Sequence, residues 1–479
     1  MSNAIKTLVA AVLLLGASFC LAQTTNYCVV PINAGATPPY TDWPTAATNI
    51  QEVLGRSLAG DTIYLTNGHY YLTGEVAVAK AVIIKSYNNG LTDPTNTIID
   101  GNNYPGKPVT NRCFNVTVGA TFDGLTVANG WSRAAAGGGF SISGSGSSLI
   151  TNCIITGNSA GTSGGGISAS RPVILVNCRI VSNSAATADG GVGFASTGCS
   201  IKDSLFGWNI ASNGNGAAID CIGNTTIRGC QIVSNKSDSS ILYFDGVDVV
   251  VSNCLFSGNT NGMVLKFGTT SGPSNLIVNC QIVGNYGTTN PGVTVFCPTV
   301  CQLWRGIIFR NCLIADNWSQ EYFGHIWVGS ANTTGTVESC TIVNNTGKTF
   351  SGLYIQPSQG HFFYNTIISS NSHGGVYSDL SFYDAGATDT TNRFFNSCCP
   401  TVALPTGQGN FKGDPKFVAV SAGNYRLAAD SPCVDTGTNM YWMINAIDLE
   451  GRSRLDKLTG LPDMGAYESL HNITLISGF

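Results

Sequence analysis

From about residue 150 onward the chain repeats one arrangement of apolar and polar positions. An Asn-Cys-x-Ile unit appears as Asn152-Cys153-Ile154-Ile155 and returns as Asn177-Cys178-Arg179-Ile180, Asp203-Ser204-Leu205-Phe206, Gly229-Cys230-Gln231-Ile232 and Asn253-Cys254-Leu255-Phe256. Asn279-Cys280-Gln281-Ile282, Asn311-Cys312-Leu313-Ile314, Ser339-Cys340-Thr341-Ile342 and Asn365-Thr366-Ile367-Ile368 follow. Successive units lie 25, 26, 26, 24, 26, 32, 28 and 26 residues apart. Three residues before the Cys column every unit is apolar, from Ile150 and Leu175 to Phe363. Two residues after it stands only Ile or Phe. Five residues after it stands an Asn each time: Asn158, Asn183, Asn209, Asn235, Asn259, Asn285, Asn317, Asn345 and Asn371.

A period of this length is the mark of a solenoid. Inward side chains of one strand fall two apart, yet the inward columns here fall at −3, 0 and +2. One extra residue must therefore turn the chain just before the Cys column. That residue is Asn, Asp, Gly or once Ser, mostly types that tolerate a left-handed backbone. Each coil then reads as a short strand, a one-residue corner, a second short strand and a turn at the Asn column. A loop and a third strand complete it. Stacking such coils at ~4.8 Å gives one parallel sheet per side. The expected fold is all-β, a right-handed parallel β-helix of about twelve coils, with the turn asparagines hydrogen-bonded up the stack as in polar ladders.

The Cys column becomes an inward ladder of small apolar thiols. Aligned residues on neighbouring parallel strands keep their Cβ atoms ~4.8 Å apart, while a disulfide wants ~3.8 Å. Cys153, Cys178, Cys230, Cys254, Cys280, Cys312 and Cys340 are thus expected free. Cys297 with Cys301, and the vicinal Cys398 and Cys399, are the better bridge candidates. A linear stack of thiols does not make a zinc site, which needs four converging ligands.

Composition agrees with the pattern. Gly is abundant at 58 residues and only 10% of residues are charged, too few for the outer faces of long amphipathic helices. A net charge of −4 without a basic stripe excludes a nucleic-acid partner from the expectation. Lys6, an apolar run over 8–15 and Ala22 before Gln23 read as a signal peptide spanning 1–22. No membrane span is expected after its cleavage. Ala47, Ile50, Val53, Leu54 and Leu58 have helical spacing closed by Gly60. They predict a capping helix within an N-terminal cap at 23–60. The helix proper is expected over 61–400 and a C-terminal cap or tail over 401–479.

The stretch Ala59-Gly60-Asp61-Thr62-Ile63-Tyr64-Leu65 with Gly68-His69-Tyr70 resembles the opening of the pectin-lyase-like β-helix superfamily. Gly164-Gly165-Gly166-Ile167, Gly190-Gly191-Val192, Phe206-Gly207-Trp208-Asn209 and Phe256-Ser257-Gly258-Asn259 are similar to the repeats of polymorphic outer-membrane proteins. Those proteins continue into a membrane β-barrel, for which few residues remain after Glu468, so autotransport is not expected. The tail, with Asp414-Pro415-Lys416-Phe417, Ser431-Pro432-Cys433-Val434-Asp435 and Asp463-Met464-Gly465-Ala466-Tyr467-Glu468, resembles the end segment of exported bacterial β-helix proteins.

The superfamily resemblance implies that sugars bind along the sheet built from the strand after the Gly-rich loop. The outward positions of that strand are expected to include Asp220, Tyr243, Asp245, Lys266, Phe296, Trp327, Tyr354 and Tyr377. Aromatic faces for sugar rings with a few polar groups for hydroxyls are what a saccharide groove needs, though exposed strand positions favour aromatics anyway. Tyr243, Phe296, Trp327, Tyr354 and Tyr377 are the binding candidates. Asp220, Asp245 and Lys266 are weak catalytic candidates. A lyase would need carboxylates converging on Ca²⁺ with a Lys or Arg base. A hydrolase would need a carboxyl pair ~5 to 9.5 Å apart. No cofactor is expected outside the Ca²⁺ of the lyase reading. The first reading is an exported, non-catalytic protein of the cell surface or extracellular space that binds polysaccharide or cell-envelope glycan. The alternatives are a lyase or hydrolase of an acidic polysaccharide, and a structural spacer.

Overall fold

A computed structural model describes residues 25–87, 94–103, 111–268, 275–287, 301–303, 306–320, 326–328, 335–348, 352–355, 361–382 and 393–469. The chain winds as a right-handed parallel β-helix. Among the described residues the first sheet holds 14 strands, from Asn26–Val29 to Phe394–Phe395. The second holds 12, from Gly68–Tyr71 to Ile367–Ser369, and the fourth 12, from Val76–Val78 to Leu380–Phe382. Between them runs a third sheet of 11 two-residue strands, from Trp131–Ser132 to Val376–Tyr377. The sequence pattern predicts three strands per coil, so this sheet is an addition. Its cause is the Asn column. Fixing each Asn in register also fixes the next two residues, as in the pairs Ser159↔Ser184 and Ala160↔Ala185.

The corner before the Cys column is left-handed in every unit. Asn152, Asn177, Asp203, Gly229, Asn253, Asn279, Asn311, Ser339 and Asn365 all have φ between 49° and 66°. A second left-handed corner, which the columns did not announce, precedes each Asn of the ladder. It is occupied by Gly157, Ser182, Trp208, Ser234, Gly258, Gly284, Asp316, Asn344 and Ser370, with φ of 54° to 64°.

The asparagine ladder is continuous. Asn158 Nδ2 donates to Asn183 Oδ1 at 3.0 Å, and the contact repeats up the stack to Asn345 and Asn371 at 2.9 Å. Each Oδ1 also accepts the backbone N–H of the preceding Asn. These side chains are almost fully buried, and pairing removes the penalty that burial of a lone amide carries.

One apolar core runs from Tyr27 to Leu404. The seven ladder cysteines lie in it as free thiols. Each Sγ donates to the carbonyl two residues back at 3.1 to 3.3 Å. Cys398 and Cys399 are also free and buried, so the vicinal bridge expected of them does not form. Cys297 and the side chain of Cys301 lie outside the described residues.

At the N-terminal end, Ile50–Arg56 is helical, with Asn49 capping the Gln51 N–H and with Ile50, Val53 and Leu54 buried. The helix is shorter than its spacing predicts. The chain leaves it at Ser57, which turns Leu58 to solvent at 67% exposure. Lys80 Nζ bonds the carbonyls of Leu54, Gly55 and Ser57 and so covers the helix end. The C-terminal segment folds back along the coils. Tyr425 packs with Leu313, Ala315 and Val343 on the outer face of the second sheet, and Thr438 exchanges hydrogen bonds with the corner residue Asn365. Among the described residues no helix is long and apolar enough to cross a membrane.

Candidate functional site

The fourth sheet carries one outward column through the middle of the molecule: Ser141, Ser168, Gly193, Asp220, Tyr243 and Lys266. Asp220, Tyr243 and Lys266 are therefore neighbours on successive coils, each half-buried. Asp245 lies on the coil after Asp220, as expected, but pairs with Ile222 and not with Asp220. It is offset by two residues along the strand and shares the same outer face.

A third acidic residue joins them from the glycine-rich loop. Equivalent positions in neighbouring coils are Gly137, Gly164 and Gly216, all left-handed, and Asp189 occupies the same position with φ of 58°. The glycines after it, Gly190 and Gly191, are dictated by packing. A Cβ there would lie 2.5 Å from the Ile210 carbonyl oxygen and 2.4 Å from that of Ala218. Gly193 leaves its outward position empty, and the Asp189 carboxylate fills it. A Cβ on Gly193 would lie 2.2 Å from Asp189 Oδ2. Asp189 is 9% exposed, and its Oδ1 has no hydrogen-bond partner.

The carboxyls of Asp189 and Asp220 interact, each shifting the other's proton affinity. Burial first, and then the charge of Asp220, hold Asp189 well above the usual carboxylate range. Burial raises Asp220 as well, against the lowering effects of the bond from Asp189 and of the Lys266 charge. The pair thus keeps one proton under conditions where isolated carboxyls have none. Lys266 Nζ donates to Asn215 Oδ1 at 3.0 Å and Ser239 Oγ at 2.9 Å, and lies 5.8 Å from the Tyr243 ring centroid. The Tyr243 hydroxyl and Asp245 Oδ1 both approach Gly268, each 2.5 Å from where a Cβ would stand.

Two of the five expected aromatic binding residues are placed elsewhere than on the outward face of this sheet. Tyr354 sits in the expected sheet, on the strand Leu353–Ile355, but is 2% exposed. Tyr377 is 68% exposed but belongs to the third sheet, in a hairpin with Ser372–His373, and the strand of the fourth sheet is Leu380–Phe382. The extra turn inserted there shifts the register on which its placement rested. Trp327 pairs with Tyr354 in the backbone register, while its side chain and the whole of Phe296 lie outside the described residues. Asp248 is exposed on the turn beyond the strand. On the first sheet, the charged residues two positions before the Cys column are in register, with Lys202 beside Arg228 and Arg310 bonded to Glu338 at 2.6 Å.

Among the described residues no group of three or more His, Cys, Asp or Glu side chains is arranged to hold a metal ion. Asp189, Asp220 and Asp245 therefore do not fit the Ca²⁺ of the lyase reading. Asn215, Ser239 and the part of Asp189 in the pair were not identified by the repeat, because loop residues occupy none of its columns. One signal was present: Asp189 interrupts a column of glycines at a left-handed position, where a non-glycine residue is uncommon.

No protein-family profile and no curated protein matches the chain. Among solved structures it is similar to pectate lyase Pel9A, at 14% identity and TM-score 0.43, over 93% of this chain and 97% of that one. It is similar to XylC, solved in complex with xylose, at 10% identity and TM-score 0.46, over 93% and 98%. It is also similar to a rhamnogalacturonan lyase at 12% identity and TM-score 0.34, over 93% and 96%. These neighbours are pectate-lyase-like parallel β-helix proteins, and at such identities the likeness extends to the fold alone.

Proposed function

We propose that this chain is an exported protein that hydrolyses an acidic polysaccharide, with Asp189 and Asp220 as its proton donor and Asp245 as its base. The carrying observation is the pair itself: Asp189 is 9% exposed and Asp220 half-buried, and both are raised above the usual carboxylate range beside Lys266 and a third carboxyl. Perturbed carboxyls of this kind concentrate at catalytic sites. Asp220 and Asp245 are about 8 Å apart at Cα, from ~4.8 Å of rise and two residues at ~3.3 Å each. Inverting glycosidases hold their two carboxyl groups roughly 6.5–9.5 Å apart, which leaves room for a water, and two side chains on one outer face at this Cα spacing can adopt such a separation. In this reading the pair protonates the glycosidic oxygen, Asp245 takes a proton from the attacking water, and Lys266 attracts the substrate's carboxylates. Tyr243 offers a ring to a sugar face. The apolar run and Ala22 of segment 1–22 support export.

One observation favours a surface or secreted protein that holds glycan without turnover. Asp189 and Asp220 interact with each other, whereas the two carboxyls of a hydrolase are held apart on either side of the scissile bond. Incubating the mature chain with galacturonan, alginate and glucuronoxylan separates these readings. Hydrolysis releases reducing ends without ultraviolet-absorbing unsaturated ends. Unsaturated ends would establish a lyase, and retention on a glycan without cleavage would establish the binding protein. A chain that neither binds nor cleaves any of them is a spacer.

A further inference from the structure

A second site lies far from the carboxyl pair, where the N-terminal cap meets the first coil. A cleft of about 630 Å³ opens there between Ile32, Gln51, the strand Gly68–Tyr71 and Glu75. We propose that this cleft binds a neutral sugar residue, stacked on the ring of Tyr71.

His69 and Tyr71 project from the same outer face of their strand, two residues apart. Their rings stack at 4.0 Å between centroids and 14° between planes. His69 covers one face of Tyr71, and Tyr71 remains 58% exposed. The histidine is held in place by Asp100 of the next coil, whose Oδ2 lies 2.5 Å from His69 Nε2. Asp100 is 1% exposed and is fixed in turn by Asn129 Nδ2 at 3.0 Å and the Asn102 N–H at 2.7 Å. A buried carboxylate therefore orients a ring pair on an open wall, a platform ordered before any ligand arrives.

The other walls are ordered too. The Gln51 amide is bonded in both directions to the backbone of Ala77, at 2.6 and 3.2 Å. Glu75 bonds Arg112 and Asn115 at 3.2 and 2.9 Å, which cancels much of its charge and leaves acceptor capacity for hydroxyls. Ile32, 90% exposed, faces the same space. A lone exposed aromatic is ordinary. A pinned ring pair in a cleft sized for a small ligand is not. Among the described residues lining the cleft there is no Lys or Arg, so a uronate would find no cation to pair its carboxylate, whereas a neutral sugar needs none.

The site is independent of the carboxyl pair. From Val76–Val78 to Ile219–Ile222 the fourth sheet takes five strand steps, or roughly 24 Å at ~4.8 Å each. One sugar residue cannot occupy both. Calorimetric titration of the full chain with cellohexaose, xylohexaose, mannohexaose and galacturonan hexamer tests the inference. At least one neutral hexasaccharide should bind. Tyr71→Ala should weaken that binding tenfold or more, Tyr71→Phe should restore it, and Asp220→Asn should leave it unchanged even where it abolishes turnover. Equal affinity of wild type and Tyr71→Ala, binding confined to the galacturonan hexamer, or no binding of any neutral hexasaccharide overturns it.

Discussion

Asp379 Oδ1 accepts both the backbone N–H and the Nδ2–H of Asn371, at 2.8 and 3.1 Å. A carboxylate thereby occupies the place that the next ladder asparagine would take, and its Oδ2 accepts from Thr401 at 3.0 Å. At the other end Asn158 Oδ1 accepts the Gly130 N–H. The polar column is satisfied from end to end, as a buried network must be to stabilise rather than destabilise.

Breaking the column in the middle is expected to be costly. Asn235 Oδ1 serves Asn209, and Asn235 Nδ2 serves Asn259 and the Phe206 carbonyl. Asn235→Leu should lower the unfolding free energy by about 3 kcal/mol or more, since each orphaned buried group costs about 1–3 kcal/mol. Asp379→Asn keeps the acceptor and removes a buried charge, so it should stay within about 1 kcal/mol of wild type by the same reasoning. Denaturant midpoints of both variants check this. An unchanged midpoint for Asn235→Leu would remove the structural role assigned to the ladder.

The thiols should be present but silent. Burial pushes Cys153, Cys280, Cys312 and Cys340 well above the ordinary thiol range, and a thiol without thiolate does not alkylate. Native protein should leave these four unlabelled by iodoacetamide at pH 8. Denatured, unreduced protein should show all four labelled by mass spectrometry. A Cys153–Cys178 or Cys254–Cys280 disulfide would contradict the ladder geometry.

The carboxyl pair predicts the sign of a pH effect. Asp189 and Asp220 have raised values in the folded chain, so folding takes up protons above the unfolded value of ~3.9. Their contribution is complete below that value and is lost as pH rises through the raised folded values. Asp189→Asn should therefore melt higher than wild type at pH 8, with the difference vanishing near pH 4. Thermal scans across that interval should show the gap opening as pH rises. A gap that closes instead would mean the pair is not proton-sharing.

Tyr354 provides a test of the aromatic-groove reading. At 2% exposure its ring is packing material. Tyr354→Ala should cost about 3–5 kcal/mol, as for other large buried aromatics, and leave glycan retention unchanged at temperatures where the variant is folded. Loss of retention without loss of stability would return the groove to consideration.

What the sequence discloses about this fold depends on repetition. The Cys column, the first corner and the ladder are visible because nine coils write the same kind of residue in the same place, and the buried amide ladder keeps Asn in all nine. Trp208 shows the limit: a bulky residue at φ of 55° is accepted because its corner is held by the rungs on either side. The site departs from the repeat. Asp189 comes from a loop, Asp245 pairs with Ile222 rather than with Asp220, and Tyr377 lies in a hairpin whose length no column sets. His69 and Asp100 are 31 residues apart, in coils that precede the Asn-Cys-x-Ile repeat and offer no frame for pairing them.

The central claim is that Asp220 and Asp245 work on a polysaccharide as acid and base. Its most direct measure is the rate of reducing-end release from the polymer that wild type cleaves, compared among wild type, Asp220→Asn and Asp245→Asn. Positioned acid–base groups contribute about 10²–10⁴ in rate. Each variant should lose at least about a hundredfold in kcat by that measure, with retention on the same polymer altered no more than a few-fold. Wild-type turnover in both variants, or an absence of cleavage by the wild-type chain, would contradict the account.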